Sequence, residues 1–240
     1  MKKYSLFIFL VCLQTNDIIA QKNLFIDSVL IVSYNITHQL PNFQATSSSK
    51  LIIDGTVSYY FGSSEFIKNG EILNAGIVKY SDSSHLLFCQ PMMPKYDKYT
   101  YFSDSLHPMK WEFTEKKIEL NGRVGYEAKT FFRGRYFTAY YDPKIPFSNG
   151  PLKFGGLPGL IIKLYDKELR WNFELISIKP ELRTFKGNKM NYAGDYQKFL
   201  SIYPEWRKRL EEKLAATESV DPNCPTCGSK STYYSLEIYE

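Results

Sequence analysis

WEFTEKKIELNGRVGYEAKTFFRGRYFTAYY, residues 111–141, decides the fold class. Trp111, Phe113, Ile118 and Leu120 alternate with polar neighbours, as a strand with one buried face requires. Asn121-Gly122 then supplies the dipeptide that tolerates the positive φ values of a two-residue hairpin. Tyr126 to Tyr141 follows, dense in aromatic and β-branched residues, the types that fit a pleated, half-buried surface. Strand, tight turn and strand in immediate succession predict an antiparallel sheet and exclude βαβ units, which need a helical crossover.

Working outward, the same texture recurs. Leu160 to Tyr165 and Trp171 to Lys179 alternate apolar and polar side chains. Upstream, Phe25 to Thr37 and Lys50 to Phe61 read as strands, with Asp54-Gly55 a bulge or a hairpin turn inside the second. Glu71 to Tyr80, His85 to Cys89 and Lys98 to Phe102 are shorter candidates, punctuated by Asn69-Gly70 and by SDSS at 81–84. Gln39 to Lys50 (QLPNFQATSSSK) reads as a polar loop. Beyond Tyr192 the period changes: Tyr196, Phe199, Leu200, Tyr203, Leu210 and Leu214 fall at helical spacings. Pro204 removes a backbone donor, so two short helical pieces are expected to meet there.

The fold expected is mainly β (α+β): a single curved antiparallel sheet from about Asn23 to Pro180, with a helical segment (192–216) packed on one face. A polar loop (217–230) and a returning terminal strand (231–240, STYYSLEIYE) complete one domain, 21–240.

Residues 1–20 have the form of a cleavable signal peptide. Lys2 and Lys3 give the positive start, Leu6 to Leu13 the apolar run, and Ile18 and Ala20 suit the −3 and −1 positions. The run is too short for a bilayer-spanning helix, which needs about 20 residues, and no other long apolar segment follows. An exported protein, of the periplasm or the outer envelope or secreted, is therefore expected. Cys12 lies inside the apolar run and is read as discarded with the signal. The chain carries a formal net charge of +5 with Lys and Asp/Glu interspersed. No concentrated basic patch exists of the kind that nucleic-acid binding needs.

Chemistry-bearing groups are sparse. The three His, at 38, 85 and 107, stand in no metal-ligand spacing, and no G-x-S-x-G elbow is present. Asp142 and Asp166 would serve a hydrolase as paired carboxylates, but turn capping by Asp142 and strand ending by Asp166 account for both. Cys224 and Cys227 form a C-x-x-C in a polar loop, read as a local disulfide or a simple loop because a redox pair would sit at a helix start. Soft donors concentrate in one stretch: Cys89, Met92, Met93, His107 and Met109. Thiolate and thioether groups select Cu(I), so these residues are the candidate metal site, against the plainer reading that Met and Cys pack cores.

The most distinctive segment is Pro143 to Asp166, PKIPFSNGPLKFGGLPGLIIKLYD. Asn149-Gly150-Pro151 reads as a turn. Gly155 and Gly156 remove side chains where the backbone bends or another chain approaches. Pro158 and Gly159 suit the two central positions of a type II turn, and Leu160-Ile161 enters an apolar strand. A phosphate-cradling loop would need a following helix and a Lys-Ser/Thr pair; here a strand follows, so a structural turn is favoured over an anion site.

Gly156-Leu157-Pro158-Gly159-Leu160-Ile161 is the hexapeptide of the GLPGLI family, exported proteins found mainly in one phylum of Gram-negative bacteria. The chain resembles that family also in Trp111, Gly125-Tyr126 with Ala128, Arg133-Gly134-Arg135, Tyr140-Tyr141, Ile145-Pro146, Gly150-Pro151, Asp166 and Leu236-Glu237-Ile238. Two departures are visible: Tyr140 where a Trp is common, and no Cys near Glu127. The resemblance implies an exported β-rich protein, often made alongside outer-membrane receptors and secreted peptidases. A related module precedes a glycan-cleaving amidase domain in some enzymes. The family supplies no catalytic residues to carry over. The expectation is a non-catalytic envelope protein, without a cofactor, that binds a ligand (peptide, lipid or metal) or assists an outer-membrane receptor or a secreted enzyme. The copper site and the Asp142/Asp166 hydrolase are the alternatives.

Overall fold

The computed structural model describes residues 29–39, 44–62, 67–68, 71–72, 75–81, 85–89, 100–105, 109–182, 186–187 and 191–217. The signal segment, the C-x-x-C loop and the expected terminal strand lie outside these residues.

In chain order the strands are β1 (Val29–Gln39), β2 (Gln44–Asp54), β3 (Val57–Phe61), β4 (Ile67–Lys68), β5 (Glu71–Ile72), β6 (Ile77–Tyr80), β7 (His85–Cys89) and β8 (Thr100–Ser105). There follow β9 (Glu112–Leu120), β10 (Arg123–Phe132), β11 (Arg135–Asp142), β12 (Leu160–Asp166), β13 (Trp171–Glu181), β14 (Lys186–Gly187) and β15 (Asn191–Asp195), and one helix, α1 (Tyr196–Thr217). Twelve of the strands form one open sheet in the order β15-β8-β7-β6-β3-β2-β1-β13-β12-β11-β10-β9. The fold is mainly β with a C-terminal helix against the sheet, as expected.

The hairpins follow from the turn residues. Asn121 and Gly122 take φ of 52° and 72°, the two positive values that match the twist of β9 and β10. Arg133-Gly134 does the same at 44° and 81°, dividing the aromatic run of 126–141 into β10 and β11. Asp54 and Val57 are the last pair of β2 and β3, so Asp54-Gly55 lies at a hairpin turn. Three expectations are corrected. The Ser run is not loop: Ser47, Ser48 and Ser49 pair with Ile36, Asn35 and Tyr34. Small hydroxyls fit beside the bulk of β1, and Ser49 is buried. Pairing is not wholly antiparallel, since β15 runs parallel to β8 at one margin of the sheet. Nor does Pro204 split the helix, which is continuous from Tyr196 to Thr217.

Pro204 is tolerated because its ring lies on the exposed side, while Phe199, Tyr203 and Trp206 bury the opposite side. These aromatics join the largest apolar cluster together with Phe88 and Phe102 of β7 and β8. The Phe199 ring meets both edge-on, at 4.9 and 5.6 Å. Asp195 accepts the Lys198 amide at 2.9 Å and caps the helix start. The exposed side is laced by Glu205–Arg209, Arg207–Glu211 and Lys208–Glu212 at i,i+4 spacing. Burial of the aromatic stripe offsets the roughly 3 kcal/mol that a mid-helix proline costs. No helix among the described residues is long and apolar enough to cross a membrane.

Candidate functional site

The connection from β11 to β12 carries the distinctive motif, and it folds into a compact lobe. Asp142 starts it: Oδ1 accepts the Lys144 amide at 2.9 Å, and Oδ2 pairs with Arg123 at 3.1 Å. Two tight i→i+2 bonds follow, from Phe147 N to Ile145 O and from Asn149 N to Phe147 O, both 2.8 Å. Leu160 N and Ile161 N return to Ile145 O and Asn149 O at 3.1 and 2.9 Å, closing the lobe on the first residues of β12. Phe154 and Leu157 are its apolar anchors, buried against Phe137, Ile161, Leu164 and Phe173.

The glycines permit close approach. A Cβ on Gly150 would meet Ile161 Cβ at 2.8 Å. Gly156 takes φ +82° beside Trp111, whose indole N–H donates to Gly155 O at 2.9 Å. The expected type II turn at Pro158-Gly159 is not formed. Gly159 N instead donates to Leu157 O at 2.8 Å, a three-residue turn about Pro158, and Gly159 stands at φ +155°. The backbone must open there to pass beside the Asp142 carbonyl. Leu160 and Ile161 are both buried, Leu160 in the cluster of Phe88, Phe102 and Phe199, and Ile161 among Phe137, Phe154 and Phe173.

Between this lobe and the β2–β3 turn lies a cleft of about 420 Å³. Gly155, Gly156 and Phe147 form one wall, and Gly55, Thr56 and Val57 the other. Lys79 and Ser58 are partners across β6 and β3 at its base. Lys79 Nζ donates to Gly150 O at 2.7 Å and Phe154 O at 3.0 Å; Asn149 Nδ2 donates to Ser58 Oγ at 2.8 Å. Burial pushes the Lys79 ammonium down to about 7. His85, Met109 and Lys153 also line the space, and none of its described lining residues is Asp or Glu.

The Lys79 shift predicts a pH dependence. The unfolded chain holds this proton up to about 10.5, whereas the folded chain releases it near 7. Between those values folding expels a proton, so raising the pH favours the folded state, by up to about 1.4 kcal/mol per pH unit. Denaturant unfolding of wild type and Lys79→Met from pH 7 to 10 isolates this: the stability difference should shift toward wild type as pH rises. A difference independent of pH would show that the two carbonyls hold the ammonium charged throughout.

Behind the lobe, Asp104 of β8 is buried, 1% exposed, and binds two cations. Arg133 reaches its Oδ1 at 2.7 Å and Lys153 its Oδ2 at 3.0 Å. The Arg133 guanidinium lies 3.7 Å from the centre of the Tyr196 ring, and Lys153 Nζ lies 4.2 Å from that of Phe88. One carboxylate thereby ties the lobe, the β10–β11 turn and the start of α1 to the sheet.

The sequence-derived candidates fall as follows. Asp142 and Asp166 do not converge. Asp166 opposes Phe137 across β11 and β12, five residues from Asp142. That is about 17 Å along an extended strand, and strand alternation puts the two on opposite faces. Asp166 is fully buried, accepts the Trp171 amide at 2.7 Å and has Arg135 at 3.6 Å. Burial raises its pKa above the ordinary carboxylate value. The hydrolase pairing is thus withdrawn, and both residues do what turn chemistry asks of Asp. Of the soft-metal set, Cys89 ends β7 opposite Tyr101, and Met109 lines the cleft and packs against the cluster of Phe154 and Leu157. Met92, Met93 and His107 lie outside the described residues, as do Cys224 and Cys227. Among the described residues no three His, Cys, Asp or Glu side chains group as metal ligands. The sequence reading did not find Lys79, Ser58, Asp104 or Lys153. The one visible signal was Lys79 itself, a cation in the otherwise apolar strand IVKY.

Residues 97–163 match a family described as "Protein of unknown function (Porph_ging)". That stretch, less than a third of the chain, contains the cleft lobe and the whole of Gly156–Ile161. No curated protein matches the sequence. The fold is similar to that of PNGF-II, solved in two crystal forms. In the P21 form the identity is 16% and the TM-score 0.54, over 73% of this chain and 33% of the other. In the C2 form the values are 12% and 0.55, over 75% and 33%. This chain therefore spans about a third of the length of PNGF-II, and at such identity the likeness is one of fold alone.

Proposed function

We propose that this is an exported, non-catalytic ligand-binding protein of the GLPGLI type, serving as an accessory to outer-membrane transport or to secreted enzymes. The observation that carries the reading is the cleft beside the motif. Its volume, about 420 Å³, falls in the range of small-molecule sites. Gly155 and Gly156 of the segment form part of its wall. That gives the segment a purpose beyond turning the chain, because loops held on a rigid scaffold are where binding sites are built. The signal-like segment supports export. Withdrawal of the Asp142/Asp166 pair removes the specific catalytic alternative. The lining offers hydroxyls, one histidine and two lysines beside apolar side chains, groups suited to holding a ligand.

The test is a heteronuclear NMR titration of the mature protein with a set of small acids, amides, sugars and dipeptides. Binding should shift the amides of Ser58, Lys79, Asn149 and Gly155 together. A Ser81→Trp variant, which places an indole at the cleft mouth, should fold as wild type and lose those shifts. Perturbations confined to other surfaces, or unchanged by the indole, would end the proposal.

A further inference from the structure

Lys79 is a half-buried cation whose charge no carboxylate balances among the described residues. Its neighbours in the cleft are two backbone carbonyls, Gly150 O and Phe154 O. An ammonium has three N–H donors, so one remains for another acceptor. The second lysine in the lining is differently placed: Lys153 is paired with Asp104 at 3.0 Å. Below about pH 7, where Lys79 keeps its proton, the described lining of the cleft therefore holds one positive charge in excess, and no described Asp or Glu side chain lines it. A cation withdrawn from water is unfavourable unless an opposite charge and hydrogen bonds replace its hydration. The two carbonyls do part of this, and the remaining donor marks where an acceptor is missing.

We propose that the cleft binds a monoanionic carboxylate with an apolar body, the carboxylate taking the third N–H of Lys79. The inference rests on the binding function proposed above and assigns its ligand class. Ser58 supports the head-group position. Its Oγ accepts from Asn149 at 2.8 Å, which leaves its own O–H to donate, and it opposes Lys79 in register. A single uncompensated cation matches a single negative charge; a phosphate ester would call for a second cation or an Arg fork. Ile53, Val57, Leu86, Met109 and Phe147 line the rest of the space and would take an alkyl or aliphatic side-chain body. The same chemistry is offered by the C-terminus of a peptide ending in an apolar residue and by a medium-chain fatty acid.

Calorimetric titration at about pH 6, below the value near 7 at which Lys79 releases its proton, with N-acetyl-leucine, N-acetyl-leucinamide and octanoate tests this. Wild type should bind N-acetyl-leucine or octanoate at least tenfold more tightly than the amide; the better acid identifies the peptide or the lipid source. Lys79→Met should bind acid and amide equally. The acid-to-amide comparison within wild type needs no variant, so poor folding of Lys79→Met would not shield the proposal. Equal affinity of acid and amide for wild type overturns the carboxylate assignment and leaves a neutral-ligand cleft. Failure of all three probes to bind also overturns it, while the binding function it rests on stands or falls by the amide-shift titration above.

Discussion

Asp104→Asn is expected to lower the unfolding free energy by about 3–5 kcal/mol, the usual result of removing one partner from a buried ion pair. The side chain keeps its size, so the loss is electrostatic. Lys153 is 6% exposed, and after the substitution its ammonium faces an amide where a carboxylate stood 3.0 Å away. Arg133 loses the carboxylate contact at 2.7 Å in the same step, and its hold over Tyr196 weakens. The damage should therefore extend from the lobe to the start of α1. Hydrogen exchange ought to report faster opening at Phe154 and Phe199 together, a joint effect that simple loosening of β8 would not give. Guanidinium unfolding supplies the energy. Adding Lys153→Met to Asp104→Asn should recover part of the stability, because a neutral apolar chain can replace a stranded cation at low cost. A loss under about 1 kcal/mol for Asp104→Asn would mean that water reaches this carboxylate and screens it.

The sheet was legible because its strands alternate and its turns use residues with positive-φ tolerance. Asn121-Gly122 announced one hairpin outright. Arg133-Gly134 did not, since arginine carries no turn preference and the aromatic run on either side reads as continuous. Ser47–Ser49 looked like loop because composition speaks for the solvent; only pairing with Tyr34 and Ile36 shows why small hydroxyls belong in that strand. Pro204 looked like a break because propensity counts the lost hydrogen bond and not the aromatic stripe that holds both sides of it.

The cleft was illegible for a different reason. Lys79 meets carbonyls 71 and 75 residues further along the chain, and backbone acceptors have no sequence signature. Asp104 likewise meets Arg133 and Lys153 from separate elements. Asp142 and Asp166 erred in the opposite sense: they are near in sequence and suggestive in type. Facing strands turned that closeness into a separation of about 17 Å, because a hairpin brings together residues equidistant from its turn, and these two are not.

Gly159→Ala should be among the most damaging substitutions of the motif, costing roughly 2–6 kcal/mol as backbone strain and overpacking combine. Gly159 stands at φ +155°, where a side chain is strained whatever the space. There is also no space: an added Cβ would fall on the Asp142 carbonyl and lie 2.8 Å from Pro143 Cα. Both are backbone atoms and cannot rotate away. Asp142 holds Arg123 and the Lys144 amide, so relieving the clash must displace the entrance to the lobe or the first residues of β12. The comparison that separates strain from crowding is Gly122→Ala. Gly122 has φ +72° in the β9–β10 turn, with nothing within 4 Å of its would-be Cβ. It should lose only the conformational part, about 1–2 kcal/mol. Thermal and guanidinium unfolding of the two variants give the difference directly. If Gly159→Ala costs no more than Gly122→Ala, the close passage of Gly159 against Asp142 does not set the shape of the lobe, and the glycine is there for its φ alone.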